Sequence, residues 1–309
     1  MNILSLLTVY VFSYFVGQAD GLHLAYSNDG YHWNALAQNR SILAPEIGED
    51  KLMRDPSICQ GPDGTFHMVW TSSWTDRIIG YASSKDLVHW SGQKAIPVMM
   101  HESEAKNCWA PEITYDPISR KFWIYWATTI PGRHSKVETS ESEEGLNHRI
   151  YCTTTRNFKR FSKTRMFFNP DFSVIDAAIV RDTRSKDFIM FLKNENSAPA
   201  EKNIRISRSK RIKKGFPVEV SAPVHGEYWA EGPAPLFLED GTLIVYFDRY
   251  MDGRYGATVS HDNGRTWTDV PDEDLSFPDG IRHGTAFKIS DEEFKILCEN
   301  ISITNNHIQ

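Results

Sequence analysis

The sequence predicts an all-β chain, a five-bladed β-propeller whose ring is closed by N-terminal strands pairing with the C-terminal strand. Three observations predict it. First, a Ser or Thr, a short polar turn and a closing aromatic recur five times along the 309 residues, ending at Trp33, Trp90, Phe161, Phe216 and Trp267. Spacings of roughly 50–70 residues suit a four-stranded blade. Second, another motif recurs out of phase: a Pro or Ala, an apolar strand, a polar turn, then an aromatic strand. It reads D-P-S-I-C-Q-G-P-D-G-T-F-H-M-V-W over 55–70, returns at 110–126, 176–191 and 232–247, and has a truncated copy at 284–297. Third, turn signals fall about every 8–12 residues, and no long stretch carries the 3.6-residue apolar period of a helix.

Taken in order, residues 3–16 are mostly apolar, yet no Lys or Arg precedes them and no small-x-small cleavage site follows, unlike a signal peptide. They are too short to span a bilayer. From Thr8 onward the chain reads T-V-Y-V-F-S-Y-F-V-G, then Asp20-Gly21, then L-H-L-A-Y-S, which is strand, turn, strand. One propeller domain is therefore placed at 8–309, with Met1–Leu7 left as an unstructured start or the remnant of an export segment. A truncated export signal would place the chain in the periplasm or outside the cell, and its lack in the cytoplasm. The polar stretch Gly132–Gly145 is a loop on one face, and the basic run Arg205–Lys214 is a solvated hairpin. The C-terminal copy lacks its aromatic-turn strand, and the N-terminal strands lack a preceding D-P strand. Residues 9–45 and 281–298 are thus expected to build one blade together, leaving no open edge.

Thirty-four Lys and Arg against 40 Asp and Glu leave a net charge of −6, which argues against nucleic acid as a partner. Charged residues at 24% and hydrophobic ones at 40% exclude wholesale disorder and an integral membrane protein. Cys59, Cys108, Cys152 and Cys298 have no C-x-x-C spacing and read as free thiols.

In a propeller the inner strands start around the central axis, so their first residues converge on one mouth. These include Arg54-Asp55, Trp109 with Glu112, Asp176, Glu231 and His283. Asp55, Asp176 and Glu231 are read as standing at equivalent places in three repeats, each beside apolar or small residues. A carboxylate in such a setting is costly unless paired or used. Paired carboxylates on a concave surface suit glycoside hydrolysis, where one must hold a proton and another must be ionised. Trp74, Trp109 and Trp229 offer faces for sugar rings, and Arg54, Arg282 and His283 offer donors for hydroxyls. Trp70, Trp90, Trp123 and Trp267 read as packing between blades.

At these residues the chain resembles glycoside hydrolase family 43. M-R-D-P-S-I, W-A-P-E-I, V-I-D-A, A-E-G-P and R-H-G-T occur in the family's order over nearly the whole length. The resemblance implies a five-bladed propeller that inverts arabinose-, xylose- or galactose-containing glycosides. Carried over by motif, Asp55 is the general base, Asp176 the acid that tunes pKa and orients sugar, and Glu231 the general acid. His283 matches a histidine that in some members helps hold a metal ion or water cluster. A structural calcium or other cation near the axis is thus an expectation, while no cofactor is required. About fifty residues precede the first Asp-Pro strand, unlike the family's usual start, which weakens transfer of substrate preference. The expected activity is exo-acting, α-L-arabinofuranosidase- or β-xylosidase-like. The competing readings are a carbohydrate-binding propeller without catalysis and a glycosidase of another five-bladed family.

Overall fold

The computed structural model describes residues 8–134, 145–182 and 184–306. Most of the loop expected at 132–145, and all of Met1–Leu7, lie outside them. Five separate sheets surround one axis. The first blade pairs β1 (Thr8–Tyr14), β2 (His23–Ser27) and β3 (Asn34–Ala35) with β19 (Thr285–Ser290) on the inside. The second holds β4 (Arg54–Gln60), β5 (Phe66–Thr71), β6 (Ile79–Ser84) and β7 (Lys94–Ile96). The third holds β8 (Trp109–Asp116), β9 (Lys121–Thr129), β10 (His148–Thr155) and β11 (Arg165–Phe168). The fourth has three strands among the described residues, β12 (Val174–Arg181), β13 (Phe188–Asn194) and β14 (Asn203–Ser209). The fifth holds β15 (Glu231–Phe237), β16 (Leu243–Arg249), β17 (Arg254–Ser260) and β18 (Thr268–Asp269).

The second strand of each blade is buried on both faces, which is why it reads as a continuous apolar run. Successive side chains alternate between the two neighbouring junctions. In β5, Phe66, Met68 and Trp70 face the first blade, while Val69 faces the third. In β9, Phe122, Ile124 and Trp126 face the second blade, and Trp123, Tyr125 and Ala127 the fourth. The core is accordingly divided into five apolar clusters, one per junction. The aromatic turns lie after β2, β6, β10 and β17. At the first, the Ser27 hydroxyl accepts from Gly30 N (2.8 Å), and Asp29 accepts from the backbone of Tyr31 and His32. Ser84 with Asp86, Thr155 with Asn157, and Ser260 with Asp262 repeat this arrangement, so the recurrent motif is a local backbone-satisfying turn.

Ring closure is as expected: β1 pairs antiparallel with β19, from Thr8 opposite Ser290 to Ser13 opposite Thr285. The C-terminal copy differs after Ser290. Instead of a turn and a second strand, Asp291–Asn306 forms helix α1. Ser290 and Glu293 make a reciprocal capping box: Glu293 N donates to the Ser290 hydroxyl (3.2 Å), and Ser290 N donates to the Glu293 carboxylate (2.8 Å). Phe294, Leu297, Cys298 and Ile301 then pack on the junction of the first and second blades. The four cysteines are free thiols, Cys108 and Cys152 buried and Cys59 and Cys298 half-buried.

Candidate active site

Four of the five inner strands begin with the same β-bulge. Arg54 pairs with Thr71 and Ser57 with Val69, so Asp55 and Pro56 oppose the single residue Trp70. Ala110-Pro111 opposes Trp126, Asp176-Ala177 opposes Leu192, and Gly232-Pro233 opposes Phe247 in the same way. The first bulge residue lies each time in the left-handed region: φ is +53° at Asp55, +44° at Ala110, +52° at Asp176 and +61° at Gly232. A bulge re-aims the side chains beside it. Here it fixes which of them reach the axis.

This register corrects one expectation. Asp55 and Asp176 are equivalent, but Glu231 stands one residue earlier, level with Arg54, Trp109 and Ile175. The position equivalent to Asp55 in the fifth blade is Gly232. A Cβ there would lie 2.5 Å from Cγ of His283, so that ring occupies the space a side chain would need. The carboxyls are brought together by this offset rather than by identical placement.

A cavity of 140 Å3 at the mouth is lined by Arg54, Asp55, Trp74, Trp109, Asp176, Lys193, Glu195, Glu231 and His283, among others. Trp74 and Trp109 also line an adjoining cavity of 910 Å3 with Asn107, Ile130 and Asn147. Asp55 is buried, accepts from the Thr71 hydroxyl (2.8 Å) and lies 3.3 Å from Nδ1 of His283. Burial alone would raise its pKa, but His283, the Arg54 charge and the Thr71 hydroxyl outweigh burial and bring it to about 2. His283 is itself pushed up to about 9, since Asp176, Asp55 and Glu112 outweigh its desolvation. Asp176 accepts from Gly232 N (2.9 Å) and is raised to about 6, chiefly by burial, with the Glu231 and Asp55 charges adding to it.

Glu231 has the opposite environment. Burial pushes it up, yet two cations win and hold it below the usual range: Lys193 Nζ at 2.9 Å from Oε2 and Arg282 Nη2 at 3.3 Å from Oε1. Lys193 also reaches Glu195 (2.7 Å), which Lys202 bonds at 2.9 Å, and its Nζ sits 4.7 Å from the Tyr250 ring centroid. Arg282 pairs through Nε with Asp248. The sequence reading missed Lys193, Glu195 and Asp248. The one available signal was a lysine inside the apolar run F-I-M-F-L-K-N, at a position where a charge needs a partner.

The other expected residues are distributed unevenly. Trp74 and Trp109 wall the cavity edge-to-face (5.8 Å, 82°), with the Trp109 indole donating to the Trp74 carbonyl. Arg54 lies over Trp74 and Phe15, 4.8 and 4.7 Å from the ring centroids. Trp229 is half-buried beside Tyr250 (6.2 Å) and does not line the cavity. Glu112 lies deeper, its carboxylate accepting from Ser57 (2.6 Å) and Thr285 (3.3 Å) and raised by burial to about 7; it ties three blades together. Arg282 lines a neighbouring 450 Å3 cavity and touches this site through Glu231. Among the described residues no group of three His, Cys, Asp or Glu is placed to hold a metal ion. Nδ1 of His283 is turned to Asp55 at 3.3 Å, and the acids around the ring favour its protonated form.

A family model described as a probable glycosyl hydrolase domain related to family 43 matches residues 6–295. Among solved structures, an endo-arabinase from Bacteroides thetaiotaomicron aligns with TM-score 0.55 and 16% identity, covering 74% of this chain and 84% of that one. An α-L-arabinofuranosidase from Lactobacillus brevis aligns with TM-score 0.51 and 17% identity over 71% and 72%. An exo-β-1,3-galactanase from Phanerochaete chrysosporium aligns with TM-score 0.53 and 13% identity, over 74% of this chain and 52% of that one. At these identities the likeness is one of fold. Among curated proteins no match is found.

Proposed function

The chain belongs to the glycosyl hydrolase domains related to family 43, and from that premise we propose that it removes single terminal sugars from glycans with inversion at the anomeric carbon. The observation that supports this most is the divergence of the carboxyls around one small cavity: Asp55 firmly ionised, Asp176 holding a proton to about pH 6, and Glu231 between two cations. Asp55 takes a proton from water, and that water's oxygen attacks the anomeric carbon. Glu231, protonated, gives its proton to the departing glycosidic oxygen as the bond breaks. The two cations make the protonated form of Glu231 scarce except toward acid pH, and Asp176, neutral until it titrates, adds no negative charge beside it. Activity is therefore expected on the acid side, falling as Glu231 loses the proton it must donate.

The lead substrate classes are α-L-arabinofuranosides and β-xylosides, with galactosides close behind because an exo-β-1,3-galactanase shares the fold. The small cavity walled by Trp74 and Trp109 supports exo action. The test is release of p-nitrophenol from α-L-arabinofuranoside, β-D-xyloside, β-D-galactoside and β-D-galactofuranoside, with Glu231→Gln as control and proton NMR of the first-formed anomer. Release lost in the variant, with the inverted anomer, supports the proposal. Retained anomeric configuration refutes it. Silence across the panel and on natural glycans favours a propeller that binds sugar without cutting it.

A further inference from the structure

The opposite face of the propeller carries a second cavity, of 590 Å3, between the second and third blades. The acids stand where inner strands begin. This cavity is built where they end: Pro62 and Asp63 follow β4, Arg120 follows β8, and Arg156–Lys159 follow β10, which runs in the same direction as β8. Its floor is aromatic. The Phe158 ring lies nearly parallel to His67 (4.0 Å, 17°) and to Tyr81 (4.5 Å, 14°), with Phe122 at 4.8 Å. Phe158 has φ +54°, uncommon for a bulky side chain, and the turn holds it there through its N–H to the Thr155 hydroxyl (3.0 Å). Beneath it, His67 Nδ1 and the Tyr81 hydroxyl lie 2.9 Å apart, and burial pushes His67 down to about 4, so the floor is polar but uncharged.

The rim is cationic. Lys94, Arg120, Arg156 and Lys159 all line the cavity and are exposed, against one acid, Asp63. Among the described residues none of these four cations makes an ion pair or a side-chain hydrogen bond. Arg133, Arg184, Arg205, Arg249, Arg254 and Arg282 each have a carboxylate partner, while exposed Arg160, Arg211 and Arg265, away from the cavity, form no ion pair among the described residues. A chain with net charge −6 thus gathers unpaired positive charge around an aromatic-floored cleft, well inside the roughly 300–1,000 Å3 range of small-ligand sites.

We infer that this cavity binds an acidic saccharide, a sugar ring carrying a carboxylate or a sulfate. A sugar presents one face of C–H groups, which suits an aromatic floor, while its hydroxyls find His67 and Tyr81. The planar forks of Arg120 and Arg156 match an acid group at the ring's edge. The choice of a saccharide rests on the glycan-degrading function proposed above. Lying on the far face, the cavity cannot feed the acids. It would hold the protein on charged stretches of a polymer while neutral branches are trimmed.

Calorimetry with the full chain tests this, using trigalacturonate and a sulfated galactose trisaccharide as probes, and neutral galactotriose and oligothymidylate as comparisons. The expected result is binding of one or both acidic sugars, weakened at least tenfold in Arg120→Ser/Arg156→Ser, with unchanged melting temperature and unchanged aryl-glycoside hydrolysis. Phe158→Leu should weaken it as well. No binding of either acidic sugar, equal binding in the double variant, or equally tight and equally Arg-dependent binding of oligothymidylate would each overturn the assignment. None of these outcomes bears on hydrolysis, which is followed in the same samples with Glu231→Gln.

Discussion

Replacing Lys193 with Met removes a buried ammonium that touches Glu231 and Glu195 at 2.9 and 2.7 Å. An opposite charge this close holds a carboxyl about 1–3 pKa units down, or about 1.4–4 kcal/mol at 1.36 kcal/mol per unit. With the ammonium gone, Glu231 keeps its proton to higher pH. The alkaline limb of kcat/KM should move up by about 1–3 units, while the acid limb, set by Asp55 at about 2, lies below the pH range assayed. Stability should change with the opposite emphasis. A depressed carboxyl contributes stability above its unfolded pKa and loses that contribution as pH falls through its folded value. The variant should therefore lose about 3–5 kcal/mol at pH 8 and clearly less at pH 4, where Glu231, freed of the ammonium, takes up a proton. Glu195 retains Lys202, which limits the damage. The assays are kcat/KM from pH 3 to 9 on whichever aryl glycoside is cleaved, and thermal melts at the two pH values. Lys193→Arg should restore the wild-type limb. A uniform fall in activity with the alkaline limb unmoved would refute the reasoning and leave Lys193 a packing residue.

Other expectations follow from the same geometry. His283 has its pKa raised from 6.5 to about 9, so its stabilising contribution is complete below pH 6.5 and lost as pH rises through 9; the shift amounts to about 3 kcal/mol. Urea unfolding at pH 6.5 and 9.5 should show that loss in the wild type, and His283→Gln should flatten it; an equal slope in the variant would assign the loss elsewhere. Gly232→Ala should cut kcat at least about a hundredfold, because its Cβ meets the His283 ring at 2.5 Å and its φ is +61°. Near-wild-type kcat there would mean that His283 has room to move without consequence. Ser290→Ala should cost about 1 kcal/mol and speed amide exchange within α1 first; unchanged exchange would show that packing of Phe294 and Leu297 alone holds the helix.

The blades were legible because their central strands are buried on both sides. Phe66, Met68, Val69 and Trp70, and Phe122 to Ala127 without a break, must be apolar, and the turns between must satisfy their own backbone, so both leave dense patterns in the sequence. The acids were legible for a different reason: Asp55, Asp176 and Glu231 interrupt small and apolar residues at strand starts. Their relative register was not, because a bulge shifts a side chain without changing composition. Lys193 was hidden inside a strand whose other residues explain themselves by packing. Helix α1 had its signal, S-D-E-E followed by Phe294, Leu297 and Ile301, but the preceding T-A-F-K-I looked like the start of one more strand pair.

The pairing of β1 with β19 also bears on the order in which the molecule comes together. Ser13 bonds Thr285, 272 positions further along the chain, and His283 enters the mouth only with that strand. Contacts so distant in sequence are closed late and slowly during folding. Four blades can form as local hairpins while synthesis proceeds, three of them with Asp55, Asp176 or Glu231 already in place, but none of these acids then faces His283. Competence for chemistry is thus tied to the last folding event. A nascent chain would bring its acids to the mouth well before His283, which joins Arg54 and Thr71 in holding Asp55 low.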